Sequence, residues 1–163
     1  MDDLERILAV EEIKQLKYRY LRHLDCKEWD ALAELFAEDA TSSYGDGKYS
    51  FAGREAIMGF LRGALGRPTI LTAHHVHHPE IALTSPSAAT GVWALQDVVI
   101  DLRSGVTIRG AAFYRDEYAK GDGVWRIHST GYRRTYEEME PRPADGPVKL
   151  TANRFAGLCD TPS

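Results

Sequence analysis

The sequence predicts an α+β fold in which three helices come first and a long antiparallel sheet follows. Three observations carry this. Before residue 66, apolar residues recur at helical spacing in three separate stretches. After Pro68 the pattern changes to four long strand-like runs. Each joint between those runs holds a turn signal, so neighbouring strands reverse as in a meander, and helices followed by strands make an α+β domain.

The first helix is read from Leu4, Ile7, Leu8, Ile13, Leu16, Tyr20 and Leu24, with Lys14, Arg19 and Arg22 falling between them. Asp25-Cys-Lys-Glu28 has the Asp-x-x-Glu form of a capping box, and Trp29, Leu32, Ala33 and Phe36 follow at i, i+3, i+4 and i+7. A second, shorter helix is predicted to start there. Within Thr41 to Phe51, the Asp46-Gly47 pair suits a tight turn between two short strands. Ile57, Phe60, Leu61, Ala64 and Leu65 restore the helical spacing, and Gly66-Arg-Pro68 ends it. The four strand-like runs then cover residues 69 to 84, 90 to 102, 106 to 119 and 124 to 137, separated by Ser85-Pro-Ser87, Ser104-Gly105 and Gly121-Asp-Gly123. Val92 to Ile100 is apolar on both alternating faces, which predicts helices on one side and another subunit on the other.

One domain is expected over residues 1–140, with a partly irregular tail over 141–163 where Pro141-Arg-Pro-Ala-Asp-Gly-Pro147 breaks regular structure. Leu150, Phe155 and Leu158 give that tail something to dock. The chain has 163 residues, 44% hydrophobic and 27% charged, a globular balance that leaves little room for disorder. A net charge of −4 without a Lys/Arg run argues against nucleic acid as a partner. The N-terminus lacks a basic region leading into an apolar core, and no stretch approaches the roughly 18 apolar residues of a membrane span. A cytoplasmic protein without a membrane partner is expected. Two cysteines, Cys26 and Cys159, are too few for a disulfide scaffold and are read as thiols.

Two stretches concentrate chemistry. Tyr20-Leu-Arg-His-Leu-Asp25 closes the first helix, and Thr72-Ala-His-His-Val-His-His78 opens the sheet. A His with a carboxylate on one ring nitrogen keeps the other nitrogen basic, so an Asp25–His74 pair would make a general base. By pattern alone, Asp25 serves equally well as a helix N-cap worth about 1 kcal/mol. Alternation sends His75 and His77 to one strand face and His74 and His78 to the other. His-x-His on a strand can also bind zinc, but two ligands on each face fall short of a catalytic set, and no metal is expected. Tyr20 is by position either a core aromatic or a phenol facing the pocket. Asp97 shares its parity with Trp93, Leu95 and Val99; a carboxylate on an apolar face needs a partner, and Arg134 is the candidate. Cys26 lies beside Asp25 without the surroundings of a nucleophile. No Gly-rich nucleotide loop is present, so no cofactor is expected.

The segments Tyr20-Leu-Arg-His-Leu-Asp-Cys-Lys-Glu-Trp-Asp30, Thr41-Ser-Ser-Tyr44, Pro79-Glu-Ile81 and Gly131-Tyr-Arg-Arg-Thr-Tyr-Glu-Glu138, together with the element order, resemble the cone-shaped NTF2-like superfamily in its SnoaL-like branch. The likeness covers residues 5 to 140. It is strongest to the bile acid 7α-dehydratases and weaker to the scytalone dehydratases and hexachlorocyclohexane dehydrochlorinases. The resemblance implies Tyr20, Asp25 and His74 as catalytic residues and Asp97 and Arg134 as substrate-binding ones. The dehydrochlorinases carry Lys at the position of Tyr20, so this chain sides with the dehydratases there. It further implies a homo-oligomer, a trimer, and a cofactor-independent lyase that eliminates water from a hydroxylated carbonyl compound of steroid-like, polycyclic or aromatic type. A ketosteroid-isomerase-like isomerase and a non-catalytic protein akin to the small subunit of ring-hydroxylating dioxygenases are the alternatives.

Overall fold

The computed structural model describes residues 1–157; the expectations for Leu158 and Cys159 lie outside them. The elements run α1 (Asp3–Cys26), α2 (Trp29–Ala33), β1 (Phe36–Tyr44), β2 (Tyr49–Ala52), α3 (Arg54–Leu65), β3 (Ile70–Ser85), β4 (Ala88–Asp101), β5 (Val106–Gly121) and β6 (Val124–Pro141). Three helices pack on one curved six-stranded sheet of order β2-β1-β6-β5-β4-β3. The fold is α+β, as the sequence predicts. All neighbours are antiparallel except β1 and β6, which run parallel, so the sheet is mixed.

α1 starts with a complete capping box, Asp2 accepting from the Glu5 N–H and Glu5 from the Asp2 N–H. Its buried stripe is Ala9, Ile13, Leu16, Lys17, Tyr20, Leu21 and Leu24. This stripe meets Phe36, Trp93, Leu95, Tyr114 and Ile127 of the sheet in one core. The expected apolar face begins too early: Leu4, Ile7 and Leu8 are all more than half exposed, and the buried stripe starts at Ala9.

The helix also ends later than its pattern suggests. Asp25 lies inside the last turn of α1 rather than capping α2, whose N-cap is Glu28 without a side-chain hydrogen bond. Lys27, left-handed at φ 57°, closes α1. Phe36 belongs to a strand instead of α2, since the Leu35 carbonyl accepts the Ile127 N–H and β1 then pairs with β6. Tertiary pairing overrides local helical spacing here.

The Gly45–Asp46–Gly47 turn, all at positive φ, joins β1 to β2. Beyond Pro141 the described residues form neither helix nor strand. Phe155 is half-buried under Lys27, with Nζ 4.9 Å from its ring centroid, Asn153 donates to the Pro68 carbonyl, and Leu150 stays exposed.

Candidate active site

Asp25 projects from the last turn of α1 onto the start of β3, where three donors converge on its carboxylate. Thr72 Oγ1 donates to Oδ1 at 2.7 Å and the His74 backbone N–H to Oδ2 at 2.8 Å, while His74 Nδ1 lies 2.6 Å from Oδ1. Burial disfavours the charge on Asp25. The His74 ring bond, its charge, its backbone N–H and the Thr72 hydroxyl outweigh that and hold the carboxyl below the usual range. Because a carboxylate only accepts, Nδ1 carries the proton and the lone pair of the neutral ring sits on Nε2. Among the described residues nothing hydrogen-bonds Nε2. The arrangement is that of a base with its orienting partner.

Asp97 is buried at 5% exposure and held by Arg134, whose Nη2 donates to Oδ2 at 2.8 Å and whose Nη1 bonds Oδ1. The Arg134 Nε sits 3.2 Å from Glu137. The hydrogen bond to Asp97 raises the pKa of Arg134 further above its usual value. Asp97 pairs with His74 across the β3–β4 ladder, so the ion pair lies in the row next to the dyad.

Tyr20 is almost fully buried, with its ring edge-on to Phe36 at 5.8 Å and to Tyr114 at 6.4 Å. Burial, followed by neighbouring Tyr114, pushes its phenol well above the ordinary range, so it stays protonated. No hydrogen bond joins it to Asp25 or His74 among the described residues. The aromatic contacts continue from Tyr114 through Tyr132 and Tyr44 to Phe60, and Arg134 stacks over Tyr132 at 5.0 Å. An aromatic wall thus runs from Tyr20 to the Asp97–Arg134 pair.

The four neighbouring imidazoles divide differently from strict alternation. A bulge between His77 and Glu80, with His78 at φ 49°, turns His78 back beside His77. His75, His77 and His78 therefore stand together, with ring centroids 6.5 and 5.9 Å apart, all exposed on the side away from the dyad. No three His, Cys, Asp or Glu side chains among the described residues group as metal ligands would. Surface depressions such as those beside Tyr132 and beside His77 lie elsewhere and are not lined by Asp25 or His74; the dyad remains slightly open, with side-chain exposures of 22% and 10%.

Sequence reasoning missed several residues. Lys17 is fully buried, its Nζ 2.7 Å from Asp116 and 3.5 Å from the Tyr114 ring centroid. Its place at i+4 from Ile13 and three before Tyr20 puts it on the buried stripe, which is the signal that would have found it. Asp116 also accepts from Tyr118 and Thr130, completing a buried polar cluster. Gly110 is missed for lack of any signal. A Cβ there would lie 2.5 Å from Arg134 Nη1, so only glycine leaves the guanidinium its place.

Comparison with solved structures gives the same architecture. A candidate scytalone dehydratase from Novosphingobium aromaticivorans superposes with a TM-score of 0.77 at 23% identity, over 88% of this chain and 98% of that one. A type 2 hexachlorocyclohexane dehydrochlorinase, LinA, gives 0.78 at 21%, over 93% and 100%. ActVI-ORFA from Streptomyces coelicolor gives 0.66 at 15%, over 78% and 97%. At these identities the likeness establishes the fold, here the NTF2-like one. The profile of the SnoaL-like domain matches residues 5–131, most of the chain, and with that match the chain belongs to the SnoaL-like domain family.

Proposed function

We propose that this protein is a cofactor-independent lyase, a dehydratase in which His74 removes a proton next to, or conjugated with, a carbonyl and a hydroxyl leaves from the neighbouring carbon. The observation that carries the reading is the double hold of Asp25 on His74, through backbone and ring, which leaves Nε2 without a partner. The carboxylate fixes the tautomer and steadies the imidazolium once the proton is taken. Tyr20, kept neutral by burial, acts as acid or hydrogen-bond donor. Asp97 and Arg134 position a polar group of the substrate. The aromatic wall from Tyr20 to Tyr132 suits a steroid-like, polycyclic or aromatic skeleton.

A neutral phenol working with a His–Asp base would serve an isomerase equally, since both reactions pass through an enolate-like charge. The two differ in product mass, which a dehydratase lowers by one water. Mass spectrometry of the products from a panel of hydroxylated ketosteroids and aromatic hydroxy ketones therefore tests the proposal.

The assembly proposed is a homo-oligomer, a trimer. Its support is the sheet face turned away from the helices, where Phe113 is 47% and Tyr136 54% exposed beside the half-covered Ala94 and Ala111. Among the described residues, no helix is long and apolar enough to cross a membrane.

A further inference from the structure

We propose that Arg134 is a positioning residue for the proton chemistry of His74, acting by neutralising Asp97, the direct cross-strand neighbour of that histidine. The ladder between β3 and β4 pairs His74 with Asp97. Residues opposite one another on antiparallel strands carry their side chains on one face, with Cβ atoms about 5 Å apart. His74 thus has a carboxylate on two sides, Asp25 from α1 and Asp97 from β4. An imidazole between two free carboxylates holds its proton too tightly to serve as a base near neutral pH.

Arg134 removes one of those charges. Its guanidinium takes both oxygens of Asp97, which at 5% exposure has little water to screen it. Gly110, the β5 register partner of Asp97, leaves the space for it. The other ionisable groups on this side are few. α1 brings Asp25, and its cap brings Lys27, whose pKa burial lowers against the opposing pull of Asp25 and whose ammonium is bound to the Leu65 carbonyl. β6 brings Arg134, Glu137 and Tyr132, the last raised first of all by burial and so uncharged. β5 offers only Gly110 in that row, and on β3 itself Thr72 is neutral while His75, His77 and His78 face away. With Asp97 paired, Asp25 is, among the described residues, the carboxylate bonded to the ring. That one bond orients the ring through Nδ1 and leaves Nε2 without a partner among the described residues.

The catalytic consequence rests on the dehydratase reading, but the charge balance does not, so the test reads protonation directly. His74 is titrated by NMR in protein carrying labelled histidine, with its signals assigned from their loss in H74A. In R134M the titration midpoint is expected to rise by about one pH unit, a tenfold gain in proton affinity. In D97N, which leaves the guanidinium opposed only by the half-exposed Glu137, it is expected to fall. In D97N/R134M it should return to within a few tenths of the parent, a rescue that damage to packing alone would not produce. Should R134M fail to fold, D97N still carries the opposite-sign expectation, and G110A, which displaces the guanidinium sterically, carries the upward one. A midpoint unmoved by loss of Arg134, or a double variant that titrates like R134M, overturns the proposal. Either result leaves the lyase reading standing, and the absence of dehydratase activity would leave the titration result standing.

Discussion

Asp25 holds His74 twice, taking the backbone N–H on one oxygen and the ring Nδ1 on the other. A single contact would let the ring turn about its side chain; the pair, with Thr72 bonded to the same carboxylate, fixes both the strand and the imidazole. If this is the base, His74→Ala and Asp25→Asn should each lower kcat about 100-fold or more while the variants remain folded by circular dichroism. Folded variants that turn over at the parental rate would remove the dyad from the mechanism.

The same carboxylate makes stability depend on pH. Asp25 lies below its ordinary range when folded, so the unfolded chain binds the proton more readily. Its contribution is fully present above about pH 4 and is lost as the pH falls through the folded value. Melting curves of Asp25→Asn are therefore expected to depend less on pH than those of the parent below about pH 4. Two parallel profiles would show that the ionisation of Asp25 contributes nothing to stability.

Lys17 and Asp116 form a fully buried ion pair in the core behind Tyr20. Asp116→Ala leaves an ammonium without a counter-charge among aromatic rings and is expected to cost about 3–5 kcal/mol in chemical denaturation. Lys17→Met with Asp116→Asn removes both charges while keeping a partner for Tyr118 and Thr130, and should recover most of that loss. A double variant as unstable as Asp116→Ala would mean that the cost comes from packing.

Much of this was legible in the sequence, because long elements have strong periods. α3 and the four long strands appear within a few residues of their predicted limits. The misses share one cause, which is that a partner distant in sequence decides the local outcome. Asp25-x-x-Glu28 looks like a capping box, but Thr72 and His74 bind the carboxylate and α1 runs on through it. Phe36 keeps helical spacing with Trp29, yet β6 draws it into a parallel ladder. His78 breaks alternation through a bulge whose one signal in the sequence is Pro79 inside the strand run. Asp97 and Arg134 could be paired on paper because an isolated carboxylate on an apolar face demands a cation. Gly110, which makes room for that cation, could not.

The proposed trimer has a simple check. Light scattering on a size-exclusion column should give about three times the 18.2 kDa chain mass at micromolar concentration. Phe113→Glu, a charge on the sheet face away from the helices, should shift the population toward monomer. A parent protein that elutes as a clean monomer would contradict it.

The central claim, water elimination by a His74 base, is tested most directly by the mass of the product. Incubation with hydroxylated ketosteroids and aromatic hydroxy ketones in deuterated buffer should give, from at least one of them, a product lighter by one water. That product should fail to form with His74→Ala. A product of unchanged mass apart from deuterium taken from solvent would make the protein an isomerase, and water loss that persists in His74→Ala would contradict the account at its centre.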